Sequence, residues 1–496
     1  MKTWIALVAC SFAQVAGAEV LFEDRSDGLP EHIYSGGWTH FVGGGVAAFD
    51  CNNDALPDLF AAGGNIPAKL MRNTGDFAFV QAEVPELTGV TGAYPLDINA
   101  DGIMDLFVLR VGPNVVLQGG LECSFTDVTH AWGFPEDDRW STAFSAWWTP
   151  KNDRPAMAIG NYVDRSDPDG PFEACDDNFL LAPVGNRYDA KPLTPGYCAL
   201  SVLAAQDASL RLRLRLSNDR HYYVDGGKEQ MWDIEEGRFL GPTDGWPDMS
   251  IWGMGIASRD ITGDGRDEVV LTSMGDQLLQ IAKAAGGYSA APFGIGTYAQ
   301  RPHSGGDGRP STGWHAEFAD VNNDGRADLF IAKGNVDQMP GMATRDPNNL
   351  LMRQPDGSFV EVAQEAGVAT LARSRGAALA DFDGDGRLDL VVVNRRAPME
   401  LYRNITPDVG NWVRIELEQK GGNRDAVGAR VDLVVGDRIQ SVQKVVGGGH
   451  AGGQALPLHF GLGEANVAQV RITWPDGTVT AQSAEAGGTI RISKQD

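Results

Sequence analysis

One nine-residue loop is written five times in this chain. It stands as "DCNNDALPD" at 50–58, "DINADGIMD" at 97–105, "DITGDGRDE" at 260–268, "DVNNDGRAD" at 320–328 and "DFDGDGRLD" at 381–389. Each copy puts an oxygen-bearing side chain at positions 1, 3, 5 and 9, and four of the five put Gly at position 6, where a tight turn calls for positive φ. A calcium-binding helix–loop–helix opens the same way but closes on a bidentate Glu at position 12. Position 12 here is Ala61, Val108, Leu271, Ile331 and Val392, and the loops continue as "LFAAGG", "LFVLR", "VVLTS", "LFIAKGN" and "LVVVN". Those are short β-prone runs, not amphipathic helices, so each loop joins two strands.

The spacing nominates twenty cation ligands: Asp50, Asn52, Asp54 and Asp58; Asp97, Asn99, Asp101 and Asp105; Asp260, Thr262, Asp264 and Glu268; Asp320, Asn322, Asp324 and Asp328; Asp381, Asp383, Asp385 and Asp389. Hard oxygen donors, with a backbone carbonyl expected at position 7, suit Ca²⁺ better than a transition metal, and up to five structural ions are expected. Ala55 replaces the glycine of the first loop, Thr262 and Glu268 alter the third, and the four aspartates of the last loop rank it tightest. The competing reading is an Asp/Asn/Gly turn held by side-chain-to-backbone hydrogen bonds. Five copies in register favour the cation.

The segment after each loop defines the repeat. After the fourth comes "NLLMRQPDGSFVEVAQEAGV", a third strand, a PDG turn and a fourth strand, and "KLMRNTGDFAFVQA", "NFLLAPVGNRYDA" and "HYYVDGGKEQMWDI" are similar. Successive loops begin 47, 60 and 61 residues apart, except for a gap of 163 between Asp97 and Asp260. That gap has room for two degenerate units, "SAWWTPKNDRPAMAIGNYV" (145–163), which has lost the acidic ligands, and "ALSVLAAQDASLRLRLRLSND" (199–219), where a short turn replaces the metal loop. The segments resemble FG-GAP/VCBS repeats, the strand–calcium-loop–strand units of integrin-type β-propellers. The resemblance implies an all-β fold with one four-stranded blade per unit. Five loops and two degenerate units make a seven-bladed propeller over 19–408, with six or eight blades left open. The last repeat lacks a fourth strand after "MELYRN", and the segment "EVLFEDRSDGL" looks like one. Val20 to Asp24 is therefore expected to close the ring.

Beyond residue 408 the composition changes. "NRDAVGARV", "LHFGLG" and "ITWPDGTV" alternate apolar and polar residues and carry a hairpin turn at Trp474–Gly477, with no metal loop. A small antiparallel β domain is expected over 409–496, and it resembles the ASPIC/UnbV domain. Repeats plus this domain are similar to the cartilage acidic protein 1 family, which implies a secreted protein characterised by calcium binding rather than by a reaction.

The N-terminus "MKTWIALVACSFAQVAGAEV" reads as a signal peptide over 1–18, cleaved after Ala18, with lipidation at Cys10 as the rival reading. A secreted or periplasmic location is expected on that basis. The exported chain keeps Cys51, Cys123, Cys175 and Cys198, and nearness in sequence favours Cys51–Cys123 with Cys175–Cys198 among three possible pairings. With 41 Lys and Arg against 66 Asp and Glu, the net charge of −25 argues against nucleic acid and anionic membrane surfaces and fits cation binding. No apolar run past the N-terminus is long enough for a membrane span.

No nucleophile or zinc signature stands out. Polar and aromatic groups do precede several inner strands: Trp38, His40, Arg139, Trp140, Trp252, Trp314, His315, Arg373 and Arg375. They are expected to converge at the channel mouth opposite the calcium loops, where Trp38, His40, Arg139, Trp140, Trp252, His315 and Arg375 would hold a sugar, a carboxylate or an anionic peptide. Gap-filling packing between blades is the alternative. Two functions are open: a non-catalytic module binding an extracellular protein or glycan, or a sugar-acting lyase or dehydratase using His40, His315 and Arg375.

Overall fold

A computed structural model of the chain describes residues 20–167, 174–219, 226–298, 307–337 and 339–495; the expected signal peptide lies outside them. Among the described residues, Phe22 to Asn404 form seven four-stranded antiparallel units. Their innermost strands are Val46–Phe49, Val90–Leu96, Arg139–Trp147, Ala199–Gln206, Gly253–Arg259, Gly313–Ala319 and Arg373–Ala380. Pairing of Arg139 with Gly112 joins the second and third units into one longer sheet path. Each innermost strand lies against the next, and Arg373–Ala380 lies against Val46–Phe49, so the order is cyclic. The fold is all-β and propeller-like.

Apolar residues on the second strand of each unit are buried because both faces of every unit are covered by neighbours. Phe330, Leu350, Leu379, Leu390 and Val392 fill the layer between the sixth and seventh units. Phe107 stacks on Phe144 between the second and third, ring centroids 4.4 Å apart.

The N-terminus completes the seventh unit. Phe22–Asp24 pairs antiparallel with Tyr402–Asn404, Leu21 N donates to Thr406 Oγ1 at 3.1 Å, and Val20 and Phe22 are buried against Tyr402 and Val368. Disulfides link Cys51 to Cys123 and Cys175 to Cys198.

The C-terminal domain packs two sheets around Val413, Ile415, Val431, Leu433, Phe460, Val470, Ile472 and Trp474. It is not purely antiparallel as expected, since Asn411–Glu418 pairs parallel with Gly488–Ser493.

From this domain the run "VVGGGHAGGQA" (445–455) enters the centre of the ring. Ala146 N donates to Val446 O at 3.2 Å, Gly448 N to Val202 O at 2.8 Å, Gly449 N to Ile256 O at 2.7 Å and Gly453 N to Ala93 O at 3.2 Å. Gln454–Ala455 then pairs parallel with Ala48–Phe49. Glycine on the ring side makes room, because a Cβ on Gly45 or Gly92 would collide with the Ala451 carbonyl.

Candidate cation loops and the filled channel

All five acidic loops share one backbone conformation. Position 4 is left-handed in each (Asn53, Ala100, Gly263, Asn323, Gly384; φ 59°, 62°, 77°, 56° and 75°), and so is position 6 (Ala55, Gly102, Gly265, Gly325, Gly386; φ 70°, 85°, 81°, 82° and 86°). The position-6 N–H donates to the first aspartate in every copy, at 2.7–2.8 Å: Ala55 to Asp50, Gly102 to Asp97, Gly265 to Asp260, Gly325 to Asp320 and Gly386 to Asp381. The position-7 N–H donates likewise to Asp54, Asp101, Asp264, Asp324 and Asp385. These bonds hold the turn and orient the position 1 and position 5 carboxylates.

Position 9 works as a latch. The Asp58 carboxylate accepts Cys51 N at 2.8 Å on one oxygen and Asn73 N at 2.8 Å on the other, tying the loop to the third strand. Asp105, Asp328 and Asp389 repeat the pattern, and Glu268 reaches Ile261 N at 2.9 Å and Ala282 N at 3.4 Å. Each position-9 group is buried. Burial pushes the Asp58, Asp105 and Glu268 carboxyls up to about 7 and holds Asp328 and Asp389 well above the usual range.

A hard cation fits this donor set best at the last loop. Oxygens of Asp381, Asp383 and Asp385 lie within 4.8 Å of one another, and buried Asp381 Oδ1 has no hydrogen-bond partner among the described residues. In the first, second and fourth loops the position-3 side chain is an Asn donating to the position-5 Asp, at 2.8, 2.8 and 3.2 Å. That neutral bond replaces the carboxylate–carboxylate repulsion that a bound cation would relieve. Cys51, Asp58 and Cys123 also cluster, but both sulfurs are committed to a disulfide.

The seven residues expected at the channel mouth do not form one open site. Arg375 is 0% exposed; its guanidinium donates to the carbonyls of Phe41 at 3.0 Å, Ser374 at 2.9 Å, Asn335 at 3.0 Å and Val336 at 2.8 Å, and stacks 4.0 Å over the Trp314 ring. His315 is buried, accepts the His450 N–H from the inserted segment at 3.3 Å and faces Glu317. His40 is buried beside Thr39, with its pKa lowered to about 4 by burial and by Arg395. Trp140 is buried, and half-buried Trp252 packs with Met254, Met274 and Trp314 in the same apolar cluster. The physical reason is local: the inserted segment takes His315, and the carbonyls of Phe41, Asn335 and Val336 take Arg375.

Sequence reasoning missed His450. It is fully buried, receives Gly43 N at 3.2 Å and stands 3.3 Å from Met254 O. The available signal was the glycine run flanking it, matched by "VGGG" at 42–45. Of the seven, Trp38 is 45% exposed, and Arg139 and Trp252 are half-buried. Trp38 stands edge-on to Trp140, and beside them a concavity of about 380 Å³ is lined by Asp137, Asp138, Arg139, Asp164, Arg165 and Asp176.

Residues 419–496 match the family model described as ASPIC and UnbV, and residues 50–108 and 339–392 match the one described as FG-GAP-like repeat. The chain is similar to cartilage acidic protein 1 of Homo sapiens, 27% identical over 173 residues that cover 34% of this chain and 26% of that protein. The Xenopus tropicalis protein of the same name is 32% identical over 119 residues, 23% of this chain and 18% of that one. The match therefore spans about a quarter of these relatives' length or less. Among solved structures, YCF48 bound to D1 peptide superposes with a TM-score of 0.42 at 8% identity, covering 79% of this chain and 99% of that one. FG-GAP-like repeats and, after them, an ASPIC and UnbV domain thus account for those stretches of the chain.

Proposed function

We propose that the chain is an exported, calcium-binding, seven-bladed β-propeller that serves as a non-catalytic binding module for an extracellular protein or glycan. The observation that carries the calcium reading is the five-fold recurrence of one loop geometry, with the three acids of the last loop clustered and Asp381 Oδ1 buried and unpartnered. Seven units in cyclic contact support the blade count. Two disulfides favour an oxidising compartment, and among the described residues no helix is long and apolar enough to cross a membrane.

The lyase or dehydratase reading needs a base and a cation free to meet a substrate. Arg375 spends its guanidinium on backbone carbonyls, and His315 is held against the inserted segment. Binding is the better reading. The rim of Trp38, Asp138, Arg139 and Arg165 is where a partner would sit, since the calcium-loop face meets the C-terminal domain.

Calorimetric titration with Ca²⁺, then a calcium-supplemented screen of glycans and peptides against the protein and its Trp38→Ala variant, tests both halves. Absence of calcium binding removes the first half, and hits that ignore Trp38→Ala remove the proposed rim.

A further inference from the structure

We propose that the C-terminal domain supplies the outer shell of the loops at 320–328 and 381–389, so that cation binding there and seating of 445–455 in the ring are one linked equilibrium. This rests on the calcium reading above.

The contacts at those two loops are direct; the domain also meets the third loop, where Arg430 Nη1 lies 2.9 Å from Asp267 Oδ1 and Asp260 bridges to Ser441. Asn323, at position 4, is fully buried; its Oδ1 faces His459 Nε2 at 2.7 Å and its Nδ2 donates to Gly386 O at 2.9 Å, tying the two loops to each other and to the C-terminal domain. Gly410 N donates to Asn322 O at 3.0 Å and Gly463 N to Asn323 O at 2.8 Å. Arg438 Nη1 donates to Asp324 O at 2.5 Å. Over the last loop, Arg414 Nη1 lies 3.1 Å from Asp381 Oδ2, and the Trp412 indole occupies the space a Cβ on Gly386 would need.

These groups act on the first aspartate of each loop. Arg414 and Gly386 N hold Asp381 Oδ2, which leaves Oδ1 as the oxygen free for a cation. Gly461 passes so close to the fourth loop that a Cβ there would collide with Asp320 Oδ2 and the Asn323 backbone. Partners outside the ligands that fix ligand orientation raise cation affinity. Whatever the domain does for the cation, the cation must do for the domain, because coupling between two sites is reciprocal. The inserted segment moves with that domain, since it joins strand Arg438–Gln443 to strand Leu458–Gly463. Loop 50–58 is an internal control: among the described residues no hydrogen bond or ion pair joins this loop's side chains to residues beyond 408.

The test is amide hydrogen exchange on the full chain, with Ca²⁺ and with a calcium chelator, alongside calorimetric Ca²⁺ titration. Chelation is expected to speed exchange at 445–455 several-fold as well as within the loops. In the Gly461→Ala variant the Ca²⁺ midpoint for protection of 320–328 should rise by roughly fivefold or more, while that of 50–58 stays put. Calcium binding without any change at 445–455 overturns the linkage and leaves the calcium reading standing. No calcium heat and no calcium effect on exchange anywhere removes the calcium reading itself. Should Gly461→Ala fail to fold, the wild-type comparison still decides.

Discussion

Arg414 of the C-terminal domain lies 3.1 Å from Asp381, the first acid of the last loop. Arg403 takes Asp383 at 2.7 Å and Arg387 takes Asp385 at 2.7 Å. Three guanidiniums thus hold three acids that would otherwise repel, and the loop can fold before a cation reaches it. A cation must then share Asp383 and Asp385 with Arg403 and Arg387, while Arg414 leaves Asp381 Oδ1 free. Arg403→Gln, at a side chain about a third exposed, is expected to tighten calcium at this loop by roughly two- to fivefold and to lower the melting temperature of the chelated protein. Calorimetry and melting curves check both, and unchanged calcium affinity contradicts the competition.

Protons compete at position 9. Burial raises Asp58, Asp105 and Glu268 to about 7 in the cation-free chain. A carboxyl with a raised folded pKa stabilises the fold below its unfolded value, and that contribution is lost as pH climbs from about 4 toward 7. Calcium needs the ionised form. The calcium-induced gain in melting temperature should therefore grow from pH 6 to pH 8 and level off above. An equal gain at pH 6, 7 and 8 would refute it.

Ala55 sits at φ 70° where the other four loops have glycine. A left-handed alanine costs about 1 kcal/mol relative to glycine there. Ala55→Gly is expected to stabilise the protein by about 1 kcal/mol in urea unfolding; a destabilised variant would mean the strain is not where the dihedral puts it.

His450 is kept neutral in the ring, its pKa lowered to about 3 by burial and by Arg375. Arg375, His315, Trp314 and the Met254 carbonyl face it, with Glu317 nearby holding Gln454. An unfolded histidine takes a proton near pH 6.5, so stability from this group is lost as pH falls through that value toward 3. With saturating calcium, His450→Gln should show a shallower loss of melting temperature between pH 6.5 and 5 than wild type. Parallel profiles would assign the acid sensitivity elsewhere.

Phe22 is buried in the layer that also holds Tyr402 and Val368, on a strand at the end of its sheet, paired with Glu400–Asn404. Phe22→Ala should cost about 3 kcal/mol, read by denaturant unfolding, far more than an ordinary tail substitution; a loss under about 0.5 kcal/mol would show that the ring does not depend on this strand.

The five loops were legible because everything that specifies them lies within twelve residues. Position 6 needs positive φ, positions 1 and 5 cap neighbouring N–H groups, and position 12 is already strand interior. The strand from Phe22 to Asp24 was legible for a related reason, since a unit short by one strand leaves an unpaired edge. The channel residues were misread because Arg375 and His315 are written as ordinary polar residues before an inner strand, and nothing near them says whether water or protein fills the space beyond.

The sequence by itself determined the repeat, the turn chemistry and the β character of both regions, since those depend on neighbours along the chain. Only the tertiary structure decided that 445–455 occupies the ring and that the C-terminal domain rests on the fourth and last loops. Those contacts join residues distant along the chain, as His450 with Gly43 and His459 with Asn323. Many of them use main-chain groups, Gly448 N to Val202 O among them, which every residue carries and no local pattern marks.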